Sequence, residues 1–144
     1  MIDIVTTLQA KATIKEWIPI VGSKDIQNFT LSLKDLTTGS SVLLIDLPEY
    51  RPLITDGFWS EHDTTIDLML VRKFEDNTRS SIKETTEEKY NNRLYELINN
   101  LDAFLIEVLA CSANMKVISV NYNFMQNVFA KSVDGVLCKL TFEG

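Results

Sequence analysis

The sequence predicts an α+β domain in which an antiparallel or mixed β-sheet packs against one long amphipathic helix and an N-terminal helix. Apolar residues recur with helical spacing over several turns between Tyr90 and Leu109. Five shorter segments show the alternation, or the continuous apolar run, that is typical of strands. The chain has 144 residues, 45% of them hydrophobic, which is enough for one core. We therefore expect a single domain over residues 1–144.

The first helix is predicted from Ile4 to Trp17, and it ends before Pro19 because proline cannot continue the hydrogen-bonding pattern. Thr6 and Gln9 have the spacing of a capping box near the start of this helix. Its apolar residues recur near helical spacing: Val5, Leu8, Ala12 and Trp17.

A β-hairpin is predicted after Gly22. Residues 29–34 alternate apolar and polar side chains, as in a half-buried strand. Residues 37–41 (Thr-Thr-Gly-Ser-Ser) have the composition of a turn, and Val42–Ile45 is a continuous apolar run. The two apolar segments and the turn between them are therefore expected to pair as a hairpin.

Residues 47–63 mix turn-forming residues with large aromatic side chains and show no clean periodicity, so they are predicted as a loop. Large aromatics beside an arginine are typical anchors of protein interfaces, although such a loop can also fold over its own core. The segment 125–129 interrupts the strand alternation, and we interpret it as a bulge or a second contact loop. The candidate interface residues are Tyr50, Arg51, Phe58, Trp59, Met125 and Phe129.

The second half of the chain predicts a strand, a long helix and two closing strands. Residues 66–74 alternate, with one apolar set on each face, and a polar connection follows. Two capping boxes, Ser81 with Glu84 and Thr85 with Glu88, mark the start of a helix of roughly 25 residues that ends near residues 112–114. Residues 116–124 and 133–142 are predicted strands, and Gly135 lies where a tight turn or bulge would fit.

No residue pattern in the sequence indicates catalysis, a metal site or a cofactor. The one histidine, His62, lies between Glu61 and Asp63, and a histidine between two acids could act as a proton shuttle or a metal ligand. Adjacent residues of an extended chain point to opposite faces, however, so the three cannot converge without a special turn, and we expect a solvated loop histidine. Cys111 and Cys138 lack the spacing of a zinc or redox site and lie in apolar stretches, so we expect two buried thiols. The five glycines are scattered and form no phosphate-binding loop. We therefore expect a protein that is not an enzyme and binds no cofactor.

The charge distribution argues against nucleic-acid and membrane partners. The formal net charge is −6, from 20 acidic and 14 basic residues, and the basic residues form no cluster that would displace counterions from phosphates. No apolar run approaches the roughly 20 residues that a membrane-spanning helix needs. Asp3 stands where a secretory signal would carry basic residues, so we expect a cytoplasmic site of synthesis.

Two stretches, together with the order of the elements, resemble small phage tail-completion and tail-terminator proteins. The first is Thr65–Lys73, which leads through a polar link to the helix containing Leu94, Leu101 and Leu105. The second, Phe129–Val136, is similar to the closing turn and strand of such proteins in phages and prophages. With the element order, the resemblance covers most of the chain.

The resemblance implies a structural virion protein of the tail or neck that caps or joins the tail tube. Such a protein assembles as a ring of identical copies, and contacts neighbouring tail-tube or connector proteins through loops such as 48–63 and 75–82. Its place would be the virion, after synthesis in the host cytoplasm. The family carries no catalytic residues, and an acidic surface is compatible with a tube through which DNA passes.

A second class fits the same composition: an acidic cytoplasmic chaperone or adaptor of a secretion system. Proteins of this class are small, α+β and usually dimeric, and this chain would bind an extended client segment by strand addition. They commonly have a helix after the last strand, which this sequence does not predict. The mass in solution separates the two, because a ring of six or more copies favours the tail protein and a strict dimer favours the chaperone.

Overall fold

A computed structural model describes residues 3–23, 39–72, 94–110, 115–125 and 134–143. This part of the chain is α+β, as predicted, with two helices and a six-stranded mixed sheet. In chain order the elements are α1 (Ile4–Ile14), β1 (Ile18–Val21), β2 (Ser41–Ile45), β3 (Glu49–Thr55), β4 (Phe58–Arg72), α2 (Tyr95–Ala110), β5 (Lys116–Met125) and β6 (Asp134–Glu143).

The 15-residue strand β4 organises the sheet, whose strand order is β1-β2-β4-β6-β5. One edge of β4 pairs with β2 over residues 68–72 and then with β3 over residues 58–65. Its other edge pairs with β6 over residues 63–72, and β6 pairs in turn with β5. All these pairs are antiparallel, whereas β1 and β2 are parallel. β1 was not predicted from the sequence.

The main core lies between the two helices and one face of the sheet. The predicted alternation in β4 is confirmed, because Ile66, Leu68 and Leu70 belong to this core whereas Met69 and Val71 do not. The strands contribute Leu43, Ile45, Val136, Cys138, Leu140 and Phe142 as well, and the helices contribute Ile4, Leu8, Ala12, Leu97, Leu101, Phe104, Leu105 and Val108. Burial of each Val, Leu, Ile or Phe side chain in this core contributes about 1.5–3 kcal/mol relative to exposure to water.

The opposite face of the sheet carries a smaller buried cluster made by Ile20, Val42, Leu44, Met69 and Val71. Strand β2 is therefore buried on both faces, which explains why its sequence is a continuous apolar run rather than an alternating one. The strand prediction for Val42–Ile45 is confirmed, whereas its proposed partner, residues 29–34, lies outside the described residues.

Gly135 lies at the start of β6 and not in a turn or bulge, so that prediction is wrong. The residue pairs with Val71 on one side and Met125 on the other. A Cβ atom at this position would lie 2.8 Å from Val71 Cγ1 and 3.0 Å from the Leu70 carbonyl oxygen. The glycine is needed because β4 approaches too closely for any side chain.

Helix α1 is shorter than predicted, and it is capped by Asp3 rather than by Thr6. The Asp3 carboxylate accepts hydrogen bonds from the Thr6 backbone N–H at 3.1 Å and from the Thr6 hydroxyl at 2.7 Å. Hydrogen bonding to Thr6 lowers the pKa of the Asp3 carboxyl. The helix ends at Ile14 in a Schellman motif, in which the Trp17 N–H donates to the Ala12 carbonyl at 2.9 Å.

Among the described residues, helix α2 has 16 residues, whereas the sequence predicts roughly 25. The capping boxes predicted at residues 81–88 and the polar connection before them lie outside the described residues, as does Cys111. The prediction of an amphipathic helix is confirmed, because its buried residues fall at helical spacing from Leu97 to Val108. Trp17 packs on Phe104 with ring centroids 4.8 Å apart, which joins the end of α1 to α2.

Arg72 joins α2 to the end of the sheet. Its Nε donates to the Ser41 hydroxyl at 2.7 Å, and its Nη1 lies 3.2 Å from Glu96 Oε1. The Asn100 amide, oriented with its oxygen toward the guanidinium, accepts from Nη1 and Nη2 at 3.0 Å each. Burial is the larger effect and lowers the pKa of Arg72 below its usual value, although the negative charge of Glu96 partly offsets it. These contacts connect α2 with the ends of β2 and β4.

Candidate assembly surfaces

Residues 47–63 do not form the predicted loop but build most of a β-hairpin. Asp56 and Gly57 form its two-residue turn, with φ angles of 51° and 80°. Positive φ at both turn positions matches the right-handed twist of the flanking strands, and an Asp-Gly pair is suited to it. The Asp-Gly dipeptide was thus the sequence signal for a hairpin here.

The outer part of this hairpin projects beyond the rest of the described sheet. Strand β6 reaches β4 only as far as Asp63, which pairs with Glu143, and β2 reaches it only as far as Leu68. Residues 52–62 therefore pair only with each other among the described strands. We call residues 52–62 the arm. Its strands change register between Pro52 and Ile54, so the arm departs from the plane of a regular ladder.

The arm exposes a large apolar side chain on each of its two faces. Ile54 is 56% exposed, and Phe58 is 77% exposed. Phe58 pairs with Thr55, the residue after Ile54, and successive residues of a strand point to opposite faces. Isolated apolar residues on a surface are ordinary, and here two of them lie on opposite faces of one projecting hairpin.

Tyr50 and Arg51 lie at the base of the arm, where β3 pairs with Thr64 and Asp63 of β4. Both side chains are exposed. Burial, and secondly the nearby charge of Asp3, raise the pKa of the Tyr50 phenol. Phe58 and Trp59 begin β4 at the other end of the arm, although the structure describes only the backbone of Trp59. Four of the six predicted interface residues thus belong to one hairpin.

Met125 lies far from the other four in the fold. It ends β5 opposite Gly135, which pairs with Val71, so it is at the other end of β4 from the arm and at the other edge of the sheet. Only its backbone is described, and Phe129 lies outside the described residues. The arm and Met125 are therefore two separate places in the fold, and residues 125–129 were predicted as a bulge or a second contact loop.

Strand β5 forms the far edge of the sheet. Among the described strands it pairs only with β6. Its residues Lys116–Ser119, Asn121, Asn123 and Phe124 are exposed, and Ile118, at the register shift, is 51% exposed. The strand prediction for residues 116–124 is confirmed. Edge strands in general can pair with a further strand.

The residues considered for chemistry do not converge. His62 and Asp63 are consecutive residues of β4 and point to opposite faces. Cys138 is a buried thiol, as predicted, and burial, followed by the charges of Asp67 and Asp102, raises its pKa to about 12. Tyr122 donates a hydrogen bond to Asp102 Oδ1 at 2.7 Å, and burial together with that bond raises its pKa.

Within the described ranges, no three histidine, cysteine, aspartate or glutamate side chains are grouped as metal ligands would be. Neither described helix is long and apolar enough to cross a membrane. No protein-family model and no curated protein sequence matches the chain.

Proposed function

We propose that this chain is a structural subunit of a phage or prophage tail or neck, a tail terminator or a tail-completion connector, which assembles with copies of itself into a ring. The observation that carries the proposal is the arm. It projects from the sheet, and it holds Ile54 and Phe58 in water on opposite faces.

Burying the arm supplies the free energy for assembly. A phenylalanine or isoleucine side chain contributes about 1.5–3 kcal/mol when it is transferred from water to an apolar environment. In a ring each copy gives one arm and receives one, so symmetry repeats the same contact at every junction. Tyr50 and Arg51 lie at the base of the arm. Tyrosine and arginine are common among the few interface residues that contribute most of the binding free energy.

The other partners in this proposal are the neighbouring tail-tube or connector proteins, and the location is the virion. The net charge of −6 supports a tube or connector through which DNA passes, because an acidic surface repels the phosphate backbone. The resemblance of Thr65–Lys73 and Phe129–Val136 to tail-completion proteins supports the same class. No catalytic or cofactor-binding role is part of this function.

A second candidate is an acidic cytoplasmic chaperone or adaptor of a secretion system that binds an extended client segment. The observation in its favour is the edge of β5, because an extended peptide can add to such an edge as a further strand. This candidate leaves the arm unused, since a client bound at β5 would lie at the opposite edge of the sheet.

The test compares Phe58→Ser with Ile14→Ser. Both residues are highly exposed, Phe58 by 77% in the arm and Ile14 by 72% on α1, so neither change should unfold the chain. We expect Phe58→Ser to lower the mass of the assembly measured by light scattering, and Ile14→Ser to leave it unchanged. An unchanged mass for Phe58→Ser would contradict the ring proposal, and a strict dimer that captures an extended peptide would favour the chaperone.

A further inference from the structure

The sequence contains the dipeptide Asp-Gly twice, and the fold places the two copies in opposite surroundings. Asp56 and Gly57 form the exposed turn of the arm, whereas Asp134 and Gly135 begin β6 within the sheet. In this dipeptide the side-chain carboxyl group lies close to the next backbone nitrogen, and glycine adds no side chain that would shield that nitrogen. Any difference in reactivity between the two copies is therefore set by the fold.

The turn of the arm leaves the peptide group between Asp56 and Gly57 outside the ladder. The last pair of the hairpin is Thr55 with Phe58, so the two residues between them pair with no described strand. Both are exposed, and no described atom lies within 4 Å of the position that a Cβ atom on Gly57 would take. Among the described residues, little therefore opposes rotation of this peptide group.

The second Asp-Gly copy is held on both sides. Gly135 is buried, and it pairs with Val71 of β4 and with Met125 of β5. Since β6 lies between these two strands, the Gly135 N–H points into the sheet. The Cγ1 atom of Val71 also lies 2.8 Å from the position of an added Cβ atom. The peptide group between Asp134 and Gly135 can thus rotate only when the end of β6 separates from its neighbours.

We propose that Asp56 is a site of spontaneous isomerisation to isoaspartate, and that the sheet protects Asp134 from the same reaction. The backbone nitrogen of Gly57 attacks Cγ of the protonated Asp56 carboxyl group. The N–Cγ bond forms, the Cγ–OH bond breaks, and the hydroxyl group leaves with the proton of the nitrogen as water, which gives a cyclic succinimide. Water then adds to the α-carbonyl carbon of residue 56 and breaks its bond to the Gly57 nitrogen. The chain now continues through Cγ, the α-carboxyl becomes the side group, and water is the only other reactant.

The product changes the geometry of the arm. Isoaspartate adds one methylene carbon to the main chain, so the turn loses the backbone geometry that matches the twist of the flanking strands. Thr55 and Phe58, the last pair of the arm, then lose their present register. The reaction is local, so the inference does not depend on the ring proposed above.

The experiment follows both sites in one protein. The full chain is held folded at mildly acidic pH, where a fraction of aspartate side chains is protonated, and a second sample is held in urea at the same pH. Both samples are digested, and the peptides that contain residue 56 or residue 134 are analysed by mass spectrometry. Isoaspartate is identified by fragmentation and by an isoaspartate-specific methyltransferase. The control variant is Asp56→Glu, which keeps the charge but would have to form a larger ring.

In the folded sample we expect at least about tenfold more isoaspartate at residue 56 than at residue 134, because exposed turns open far more often than paired strands. In urea the two sites should react at similar rates, since the reacting dipeptide is the same. Asp56→Glu should stay unmodified at residue 56. Absence of isoaspartate at residue 56 of the folded protein, or equal amounts at both sites, would overturn the inference. A protein that isomerises at residue 56 but has the same mass as Phe58→Ser would contradict the ring proposal alone.

Discussion

Thr64 is a buried polar residue whose replacement should stabilise the protein. It lies on the helix side of β4, paired with Tyr50 of β3 and Phe142 of β6, and it is fully buried. Its hydroxyl oxygen has no hydrogen-bond partner among the described residues. Burying a hydroxyl without a partner costs about 1–3 kcal/mol. Thr64→Val keeps the shape and removes the hydroxyl, so we expect the free energy of unfolding to rise by about this amount.

The matched control is Thr64→Ser, which keeps the unpaired hydroxyl and deletes the methyl group. It should lower the free energy of unfolding by roughly 1 kcal/mol, because a buried methyl group is lost. Urea unfolding at one protein concentration, with the same m-value for all three proteins, measures both changes. A Thr64→Val protein less stable than the wild type would refute the reasoning, since its hydroxyl would then make a hydrogen bond that stabilises the fold.

Three further predictions concern the core, the thiol and the helix cap. Leu101→Ala, in the buried face of α2, should lower the free energy of unfolding by about 2–5 kcal/mol in the same urea assay. In a Cys111→Ser background, Cys138 of the native protein should not react with a thiol reagent at pH 8, because its raised pKa keeps the thiol protonated. The same thiol should react fully once the protein is unfolded in urea. Rapid reaction of the native protein would contradict the burial of Cys138. The lowered pKa of Asp3 stabilises the fold above the unfolded-state pKa, and this contribution is lost as the pH falls through the folded-state pKa. The melting temperature of the wild type should therefore exceed that of Asp3→Asn at pH 7, with the difference vanishing toward pH 2; a pH-independent difference would argue against the cap.

The sequence predicted those parts of the fold in which burial follows a regular pattern along the chain. The alternation of Ile66–Val71 is visible because each face of β4 meets a different core. The helical spacing in α2 is visible because one face alone is buried. The continuous run of Val42–Ile45 is also explained by burial on both faces. In each case tertiary contacts reinforce the local pattern.

The parts that the sequence did not predict depend on contacts between distant segments or on backbone geometry. β1 has four residues and a proline, and it becomes a strand because it pairs with β2, over 20 residues away. Residues 47–63 lack periodicity because none of the arm side chains that the structure describes is fully buried, so these side chains need not alternate. The interface residues were predicted from their chemical types. Their division between the arm and β5 required the strand order.

The mass of the wild-type protein in solution tests the central claim most directly. We expect light scattering at micromolar concentration to give at least six times the 16.4 kDa chain mass, and Phe58→Ser to reduce it while the melting temperature stays within a few degrees of the wild-type value. A wild type that remains a monomer or a strict dimer at every concentration tested would contradict assembly into a ring through the arm.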